Sequence, residues 1–466
     1  MDSHDLPMSA TTIPASPPPL PRRAPGPRSR YPGELFFRLN SDRLGFMQKV
    51  AREHGDLARI DIVRTSLFLA THPDFVKDVL VTNNRLFGRG RGHLRMKLLL
   101  GEGLLTTDGE QHRRQRRLVQ PAFHRQRVES YGDTMAERAD ELSHRWRDGQ
   151  SVEVLGEMMG LTLVIVANTL FGATVDDEVQ EIGSALTAVF EMFGFALMPF
   201  SELFDRVPIP TTLRLRRARA RLDATIYRIL AERRQSGRDH GDLLSMLLMA
   251  QDTGDDGDGG SMTDVQLRDE ATTLFVAGHE TTSNALTWTW YALSENPDAE
   301  RAMHAELDAV LGGRRPTAAD LPRLPYTRAV LAESMRLYPP VWGMGRRALV
   351  DHTLGGYDIP RGSLVVVSPF ITQRDARFFP EPQRFLPERW LGEQSSDRPR
   401  FAYFPFGGGA RQCIGEQFAW MEGVLLLATL GQRWRLRLEP GHVVEFNPLI
   451  TLRPKHGMRM TLHSRT

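Results

Sequence analysis

The 466-residue chain has one cysteine, Cys413, in the glycine-rich stretch FPFGGGARQCIG (404–415). A chain with one cysteine forms no internal disulfide, so its core must hold it together, and this cysteine usage fits a reducing cytoplasm. An apolar run starts just after the stretch and predicts a helix. Because a helix N-terminus offers free N–H groups and positive potential, we expect a thiolate at Cys413. A thiolate with backbone donors is a metal ligand or a nucleophile.

Glycine-rich loops also bind phosphate groups, which is a second interpretation of this stretch. A phosphate-binding loop needs Gly-Lys-Ser/Thr, and the stretch contains no lysine. A dinucleotide fingerprint needs a third glycine at the position of Gln412. Both kinds of phosphate-binding loop are therefore excluded. A cysteine nucleophile with a distant histidine partner stays open, as does a small buried hydrophobe.

Composition limits the class of protein. The net charge is only +2, which does not indicate a nucleic-acid-binding protein. The proline-rich segment 1–32 has no apolar run long enough for a signal peptide or an integral membrane anchor, and we expect an N-terminal tail there. Residues 33–466 show no internal repeat and no second boundary, which predicts a single large domain.

Periodicity predicts a mainly α fold with a small β portion. The segment DLARIDIVRTSLFLATHP predicts two short strands around a turn. Helical patterns dominate from Asp74 to about Pro297. One long helix is predicted from the capping box Thr263–Gln266 to the stop signal at Asn296 and Pro297.

The long helix contains AGHETTS, Ala277 to Ser283. A zinc-protease motif would need a second histidine at Ser283, so that interpretation fails. A mid-helix glycine costs about 1 kcal/mol relative to alanine, and the Thr281 hydroxyl can bond back to the Ala277 carbonyl. Glycine, acid and hydroxyl together indicate a small polar pocket. The alternative is a close helix crossing at Gly278.

A third pattern is LAESMRLYPP, in which Glu333 and Arg336 are three residues apart on one predicted helix face. Alone, such a pair is usually an exposed ion pair that contributes little to stability. Arg389 follows in FLPERW.

Taken together and in order, these motifs resemble those of the cytochromes P450, the haem-thiolate monooxygenases, over residues 33–466. The matching positions in the cysteine loop are Phe406, Gly409, Arg411, Cys413 and Gly415. Those elsewhere are Ala277 to Thr281 in the oxygen-activating helix, Glu333, Arg336 and Arg389 in a structural ion triad, and His112 and Arg116 in DGEQHRRQRR.

The resemblance implies a cytochrome P450 fold with Cys413 as the axial ligand of iron in haem b (iron protoporphyrin IX). Phe406 would belong to the haem-binding loop, whose glycines would let the backbone approach the porphyrin. The cations that would bind the propionates are His112, Arg116, Arg346 and Arg411; Arg347 is a second candidate beside Arg346. Glu280 would relay protons, and Thr281 would hydrogen-bond at the dioxygen site or hold its water.

The implied reaction inserts one oxygen atom of O2 into a C–H bond, or a C=C bond, of an apolar substrate such as a fatty acid, terpenoid or steroid. The segments that would face substrate are apolar: Leu98, Leu99, 189–200, Leu274, Phe275, Val341, Trp342, Leu449 and Ile450. Ordinary core packing explains each of them equally well.

No flavin or iron–sulfur segment is present, so a separate electron donor is expected, either a ferredoxin with its reductase or a flavoprotein. Arg113 and Arg117 would form its basic docking patch. Arg89, Arg91, Arg95 and Lys97 fit either a carboxylate-binding cluster or a solvated one. The basic stretch 213–222 fits a solvated helix better than a membrane contact. The alternatives are a haem-thiolate peroxygenase or isomerase and a non-catalytic haem sensor.

Overall fold

The computed structural model describes residues 22–62, 65–90, 96–97, 100–172, 210–238, 242–249, 260–392 and 397–465. Helices predominate among them, as the sequence predicts. The α-helices are α1 Glu34–Ser41, α2 Arg43–His54, α3 Pro73–Lys77, α4 Gly109–Val119, α5 Arg125–Ser130, α6 Gly132–Arg145, α7 Val154–Phe171, α8 Pro210–Ser236, α9 Leu243–Met249, α10 Asp264–Glu295, α11 Pro297–Leu311, α12 Pro325–Leu337, α13 Pro369–Thr372 and α14 Glu416–Arg433.

Short strands pair at the edges of the helical body. The strands are β1 Leu57–Ile62, β2 Thr65–Ala70, β3 Phe87–Arg89, β4 Ser151–Glu153, β5 Met344–Ala348, β6 His352–Leu354, β7 Tyr357–Ile359, β8 Leu364–Val367, β9 Trp434–Leu438, β10 Phe446–Pro448, β11 Leu452–Pro454 and β12 Arg459–Ser464. Within the described residues, the largest sheet has the order β1-β2-β8-β5-β3, in which β2 and β8 are parallel. The pair β1 and β2 confirms the two predicted strands.

Helix α10 begins and ends where the sequence predicts. Its N-cap Thr263 accepts a hydrogen bond from Gln266 N at 3.3 Å, and Gln266 Oε1 accepts one from Thr263 N at 2.9 Å. These reciprocal bonds satisfy two of the N–H groups that a helix start leaves without an intrahelical partner. The helix ends at Glu295, before Asn296 and Pro297. Its 32 residues make it the longest described element, and most of them are buried.

The main core forms where α10 crosses α7. A Cβ atom on Gly278 would lie 2.9 Å from Val166 Cγ2 of α7, closer than real Cβ contacts allow. The alternative interpretation of this glycine, a close helix crossing, is therefore the one that the structure supports at Gly278. Phe275 stacks on Phe171, with ring centroids 4.0 Å apart. Of the two interpretations of Phe275, the structure therefore supports core packing rather than a substrate-facing position.

One of the described helices, α7, is long and apolar enough to cross a membrane by length and composition. The protein buries 61% of this helix. Because its apolar side chains pack against α6 and α10, the core accounts for its composition.

The described part of segment 1–32 lies against the folded body. Ala24 is 5% exposed and belongs to the core beside the large sheet. Arg59 N donates to Pro25 O at 2.7 Å, and a Cβ on Gly26 would overlap Arg59 O. Residues Arg22 to Gly26 of the segment that we assigned to a tail therefore contact the folded body, whereas Arg28 to Pro32 are exposed.

Glu333 is the centre of a fully buried ion network. Arg336 donates to both of its carboxylate oxygens at 2.8 Å, and both side chains are completely inaccessible to solvent. Arg389 Nε and Trp390 Nε1 also donate to this carboxylate, at 3.0 and 2.8 Å. The ion triad that the resemblance implied is confirmed. It is not the exposed pair that the i,i+3 spacing alone suggested.

We predict that Arg336→Ala destabilises the protein by about 3–5 kcal/mol, because the Glu333 carboxylate then loses its main partner while it stays buried. The matched control is Arg301→Ala, which removes an exposed i,i+3 partner of Asp298 and should change stability by less than about 1 kcal/mol. Chemical denaturation of both variants gives the comparison. Equal stabilities would show that the buried network is dispensable.

Candidate active site

A backbone hydrogen bond within the loop and the start of α14 fix the position of Cys413. Cys413 N donates to Phe406 O at 2.9 Å, and α14 begins at Glu416, three residues after the cysteine. Arg116 Nη1 of α4 donates to Gln412 O at 2.8 Å. Helix α4 is therefore attached to the backbone beside the cysteine.

Backbone conformation and close packing explain why this loop needs its glycines. Gly407 and Gly409 have φ values of 73° and 68°, in the left-handed region that other residues rarely adopt. A Cβ on Gly409 would lie 2.0 Å from Leu80 O, and one on Gly408 would lie 2.6 Å from the Phe401 ring. We expected the glycines to admit a porphyrin, but close packing and backbone conformation already require them.

Cys413 is accessible from a depression that Arg116, Gln120 and Phe123 also line. Many protein atoms lie in the neighbourhood of this exposed side chain, so the thiol is also partly desolvated. Burial raises the pKa of the thiol to about 11, although the N–H of Gly415 lowers it. The helix N-terminus alone therefore does not ionise Cys413, contrary to our expectation from the sequence. A bound cation would have to stabilise the thiolate.

Four basic side chains from different elements meet near this loop. Arg89 of β3 lies directly opposite Arg346 of β5 in the sheet register. Burial, and then the charge of Arg411, lowers the pKa of both arginines, that of Arg346 to about 10. Burial and the charges of Arg411 and Arg89 also lower the pKa of His112, to about 3. Like charges placed opposite one another destabilise a sheet, so this basic cluster favours an anionic ligand.

Some nitrogens of the basic cluster lack acceptors. Arg89 Nε and Arg411 Nη1 are buried and have no hydrogen-bond partner among the residues that the structure describes. Asp108 accepts bonds from the Arg411 side chain and from Arg89 N, the latter at 2.8 Å. One carboxylate cannot balance three arginines, of which Arg346 is buried and Arg89 and Arg411 are half-buried. Leaving such donors unpaired costs free energy unless an acceptor is bound.

Helix α10 is uncovered around Ala277, within a mostly buried length. Ala277 is exposed, and Gly278 and Thr281 are partly exposed, whereas their neighbours on both sides are buried. Thr281 Oγ1 donates to Ala277 O at 2.7 Å, as predicted. Ala277 and Thr281 are four residues apart, so they share one helix face. This face is free to line a ligand cavity.

Glu280 points to another part of the molecule. Its Oε1 accepts a hydrogen bond from Arg453 Nε at 2.9 Å and one from the Thr451 hydroxyl. The Glu280 side chain is 2% exposed. Burial raises the pKa of Glu280, while the charge and hydrogen bond of Arg453 act in the opposite direction. No pattern in the sequence predicts either partner.

Comparison with known proteins decides the family. The family model for cytochrome P450 matches residues 25–459. The chain belongs to the cytochrome P450 family. It is 41% identical over 404 residues to cyclooctatin synthase of Streptomyces melanosporofaciens, which covers 86% of this chain and 87% of the relative. It is 37% identical to pentalenene oxygenase of Streptomyces avermitilis, over 91% of this chain and 93% of the relative.

Solved structures agree with this assignment. The haem domain of cytochrome P450DA superposes with a TM-score of 0.85 at 27% sequence identity, over 96% of this chain and 98% of that domain. The protein is therefore a cytochrome P450 oxidoreductase, and the fold predicted from its motifs is confirmed.

The residues present fit haem. The two propionates would give acceptors to the unpaired nitrogens of Arg89 and Arg411, and the thiol of Cys413 is a suitable soft ligand for iron. The uncovered face at Ala277 and Thr281 leaves room on α10 for a bound group. Of the two adjacent candidates, Arg346 is buried within the basic cluster and Arg347 is exposed.

The remaining residues are those that we expected to face the substrate or to bind a carboxylate, and for them the structure gives only burial or an ion-pair partner. Leu274 is buried, and four are half-buried: Val341, Trp342, Leu449 and Ile450. Lys97 pairs with Glu102 at 3.0 Å, whereas Arg89 belongs to the basic cluster. Leu98, Leu99, Arg91, Arg95 and residues 189–200 lie outside the described residues.

We predict that Arg346→Gln weakens haem binding by about tenfold or more, because a buried hydrogen bond to a charged group contributes about 1.5–3 kcal/mol. Arg347→Gln, one residue further along β5 and exposed, is the control and should bind haem like the wild type. The rate of haem transfer to an excess of apomyoglobin measures the difference. Equal rates for the two variants would contradict the assignment of Arg346.

Proposed function

We propose that this protein is a haem b monooxygenase that oxidises a terpenoid with electrons from a separate carrier. When bound, haem activates dioxygen so that one oxygen atom enters a C–H or C=C bond of the substrate. The other oxygen leaves as water with two electrons and two protons. A single cysteine fits a reducing environment, and this supports a location in the cytoplasm.

The observation that carries this proposal is the arrangement of Glu280 and Thr281. Thr281 lies on the uncovered face of α10, and the adjacent Glu280 is a buried acid with a raised pKa. Proton transfer from a positioned acid suits a reaction that releases water. A peroxygenase, an isomerase or a haem sensor does not need to deliver protons to dioxygen, so the pair favours the monooxygenase.

The other site residues are proposed to bind haem or to hold the elements around it. Cys413 ligates the iron, and Phe406 holds the cysteine loop through its carbonyl. His112, Arg346 and Arg411 bind the propionates. Arg116 fixes α4 to Gln412 O and adds positive charge near the sulfur.

An apolar pocket admits fatty acids, terpenoids and steroids. Of these three substrate classes, the relatives best support a terpenoid. Cyclooctatin synthase and pentalenene oxygenase are terpenoid-oxidising relatives. The half-buried apolar residues Val341, Trp342, Leu449 and Ile450 are consistent with such a substrate.

The electron donor is proposed to dock beside Cys413. The depression next to this residue is lined by the basic residues Arg116, His124 and Arg125. Arg113 and Arg117 are exposed on the same helix as Arg116, although both interact with Glu110. An acidic ferredoxin or flavoprotein would complement this surface.

The function is tested by spectroscopy and turnover. The reduced protein with carbon monoxide should show the strongly red-shifted Soret band of thiolate-ligated haem, and Cys413→Ala should abolish it. Cyclic terpenes, fatty acids and steroids are then screened with a surrogate ferredoxin system and with peroxide alone. Oxidised terpene in the ferredoxin arm supports the proposal. Product in the peroxide arm only, or a histidine-type Soret band, would contradict it.

Thr281→Ala is predicted to reduce coupling and leave substrate binding intact, since it removes a small polar group from an apolar site. Without the hydroxyl, water near the dioxygen site loses a hydrogen-bond partner and protons are delivered less selectively. Electron consumption should persist, product per electron pair should fall, and hydrogen peroxide should rise. Thr289→Ala is the control, because it removes the same kind of hydroxyl bond, to Ala285 O at 2.7 Å, on a buried part of the same helix. A Thr281 variant coupled like the wild type would remove this role.

A further inference from the structure

The carboxylate of Glu280 is held by a strand far away in sequence. Arg453 belongs to β11, and Thr451 directly precedes that strand. Both bonds reach the same oxygen, Oε1, while Oε2 is buried with no hydrogen-bond partner among the described residues. Asn284, one turn along α10, donates to Glu280 O at 2.8 Å and to Thr451 Oγ1 at 3.4 Å. One face of α10 is thus joined to the hairpin by polar contacts.

The hairpin of β10 and β11 is itself fixed to the protein. Trp288 Nε1 of α10 donates to Leu452 O at 2.8 Å, and Leu452 N donates to Pro340 O at 2.9 Å. Trp342 Nε1 donates to Leu449 O at 3.0 Å. These bonds fix the hairpin at Leu449 and at Leu452. Arg453, the residue after Leu452, is therefore held in one position next to Glu280.

Few other charges act on Glu280. Arg453 is the one charged group of the described residues whose field changes its pKa. His279, the preceding residue on α10, stays neutral near pH 7 because burial lowers its pKa to about 4. Glu422 of α14 approaches Thr282, and burial raises the pKa of this acid to about 8, so it is mostly neutral at pH 7. The charge state of Glu280 therefore depends mainly on its burial and on Arg453.

We propose that Arg453 and Thr451 are positioning residues that hold Glu280 toward the hairpin and set the pH range in which it exchanges a proton. This inference rests on the proposed monooxygenase function. For each of the two protons that leave in water, the Glu280 carboxyl O–H breaks and the proton passes by way of the Thr281 site to the departing oxygen atom. The carboxylate, paired with Arg453, regains a proton from solvent after each transfer, so two solvent protons are consumed per turnover.

The sign of the effect follows from the charges. The positive charge and hydrogen bond of Arg453 lower the pKa of Glu280 against the effect of burial. Arg453→Gln removes the charge, so Glu280 should stay protonated to a higher pH than in the wild type. Arg453→Lys restores the charge and should return the titration toward that of the wild type.

The test reads Glu280 directly by infrared difference spectroscopy of the haem-loaded, carbon monoxide-bound protein across pH. The signal of its protonated carboxyl is the band that disappears in Glu280→Gln. We expect the band to persist to higher pH in Arg453→Gln and, by loss of one hydrogen bond, in Thr451→Val. The control Lys455→Gln lies two residues further along the chain, where Lys455 is exposed and pairs with Glu445 at 2.7 Å, and it should titrate like the wild type.

Turnover supplies a second measurement. Glu280→Gln should lower the rate of product formation by about a hundredfold, the lower end for a positioned proton donor. The pH at which product formation falls on the alkaline side should move upward in Arg453→Gln. The double variant Arg453→Gln/Glu280→Gln should behave like Glu280→Gln alone, because Arg453 acts through Glu280.

The outcomes separate this inference from the proposed function. An unchanged Glu280 titration in Arg453→Gln overturns the inference, even where that variant is less stable, since a purely structural pair would change stability alone. A double variant clearly worse than Glu280→Gln also overturns it. If the wild type oxidises no terpenoid, the proposed function fails, and the infrared titration still decides whether Arg453 controls Glu280.

Discussion

The buried carboxylate of Glu333 holds together the segments on which the site depends. Arg336, which it fixes, also donates to three backbone carbonyls, those of Gln373, Pro382 and Arg384, at 2.8 to 3.0 Å. Gln373 Oε1 accepts from Phe404 N at 3.0 Å, at the start of the cysteine loop. One ion network thus extends from α12 to the residues that precede Cys413. A buried ion pair seldom adds much net stability, and here its specific geometry connects several irregular segments.

The same loop contributes to a cluster of positive charge that the described residues balance only in part, through Asp108. The strands β3 and β5 place Arg89 and Arg346 opposite each other, and Arg411 adds a third guanidinium. Folding must bring these charges together and strip away their water, which costs free energy. An anionic ligand recovers part of that cost when it binds. We therefore expect haem loading and folded stability to be strongly linked in this protein.

Local signals in the sequence predicted local structure well. The capping box at Thr263 and the stop at Asn296 gave the ends of α10 because the responsible contacts span three residues or fewer. The bonds of Glu280 to Thr451 and Arg453 join residues 171 and 173 positions apart, and no periodicity reveals such a pairing. Burial is also a property of the whole fold, so the raised pKa of Cys413 could not follow from its position before a helix.

Neighbouring residues on α10 serve different parts of the molecule because successive side chains on a helix point about 100° apart. Gly278 packs against α7, Glu280 pairs with Arg453 of the hairpin, and Thr281 lies on the uncovered side. Under the proposed function, Arg453 would tune the acid without the acid being a wall of the substrate site. Substitutions at half-buried positions outside α10, such as Val341, would then alter the pocket and leave the acid in place. The side of α10 that holds the acid would thus be distinct from the side that Thr281 presents to a ligand.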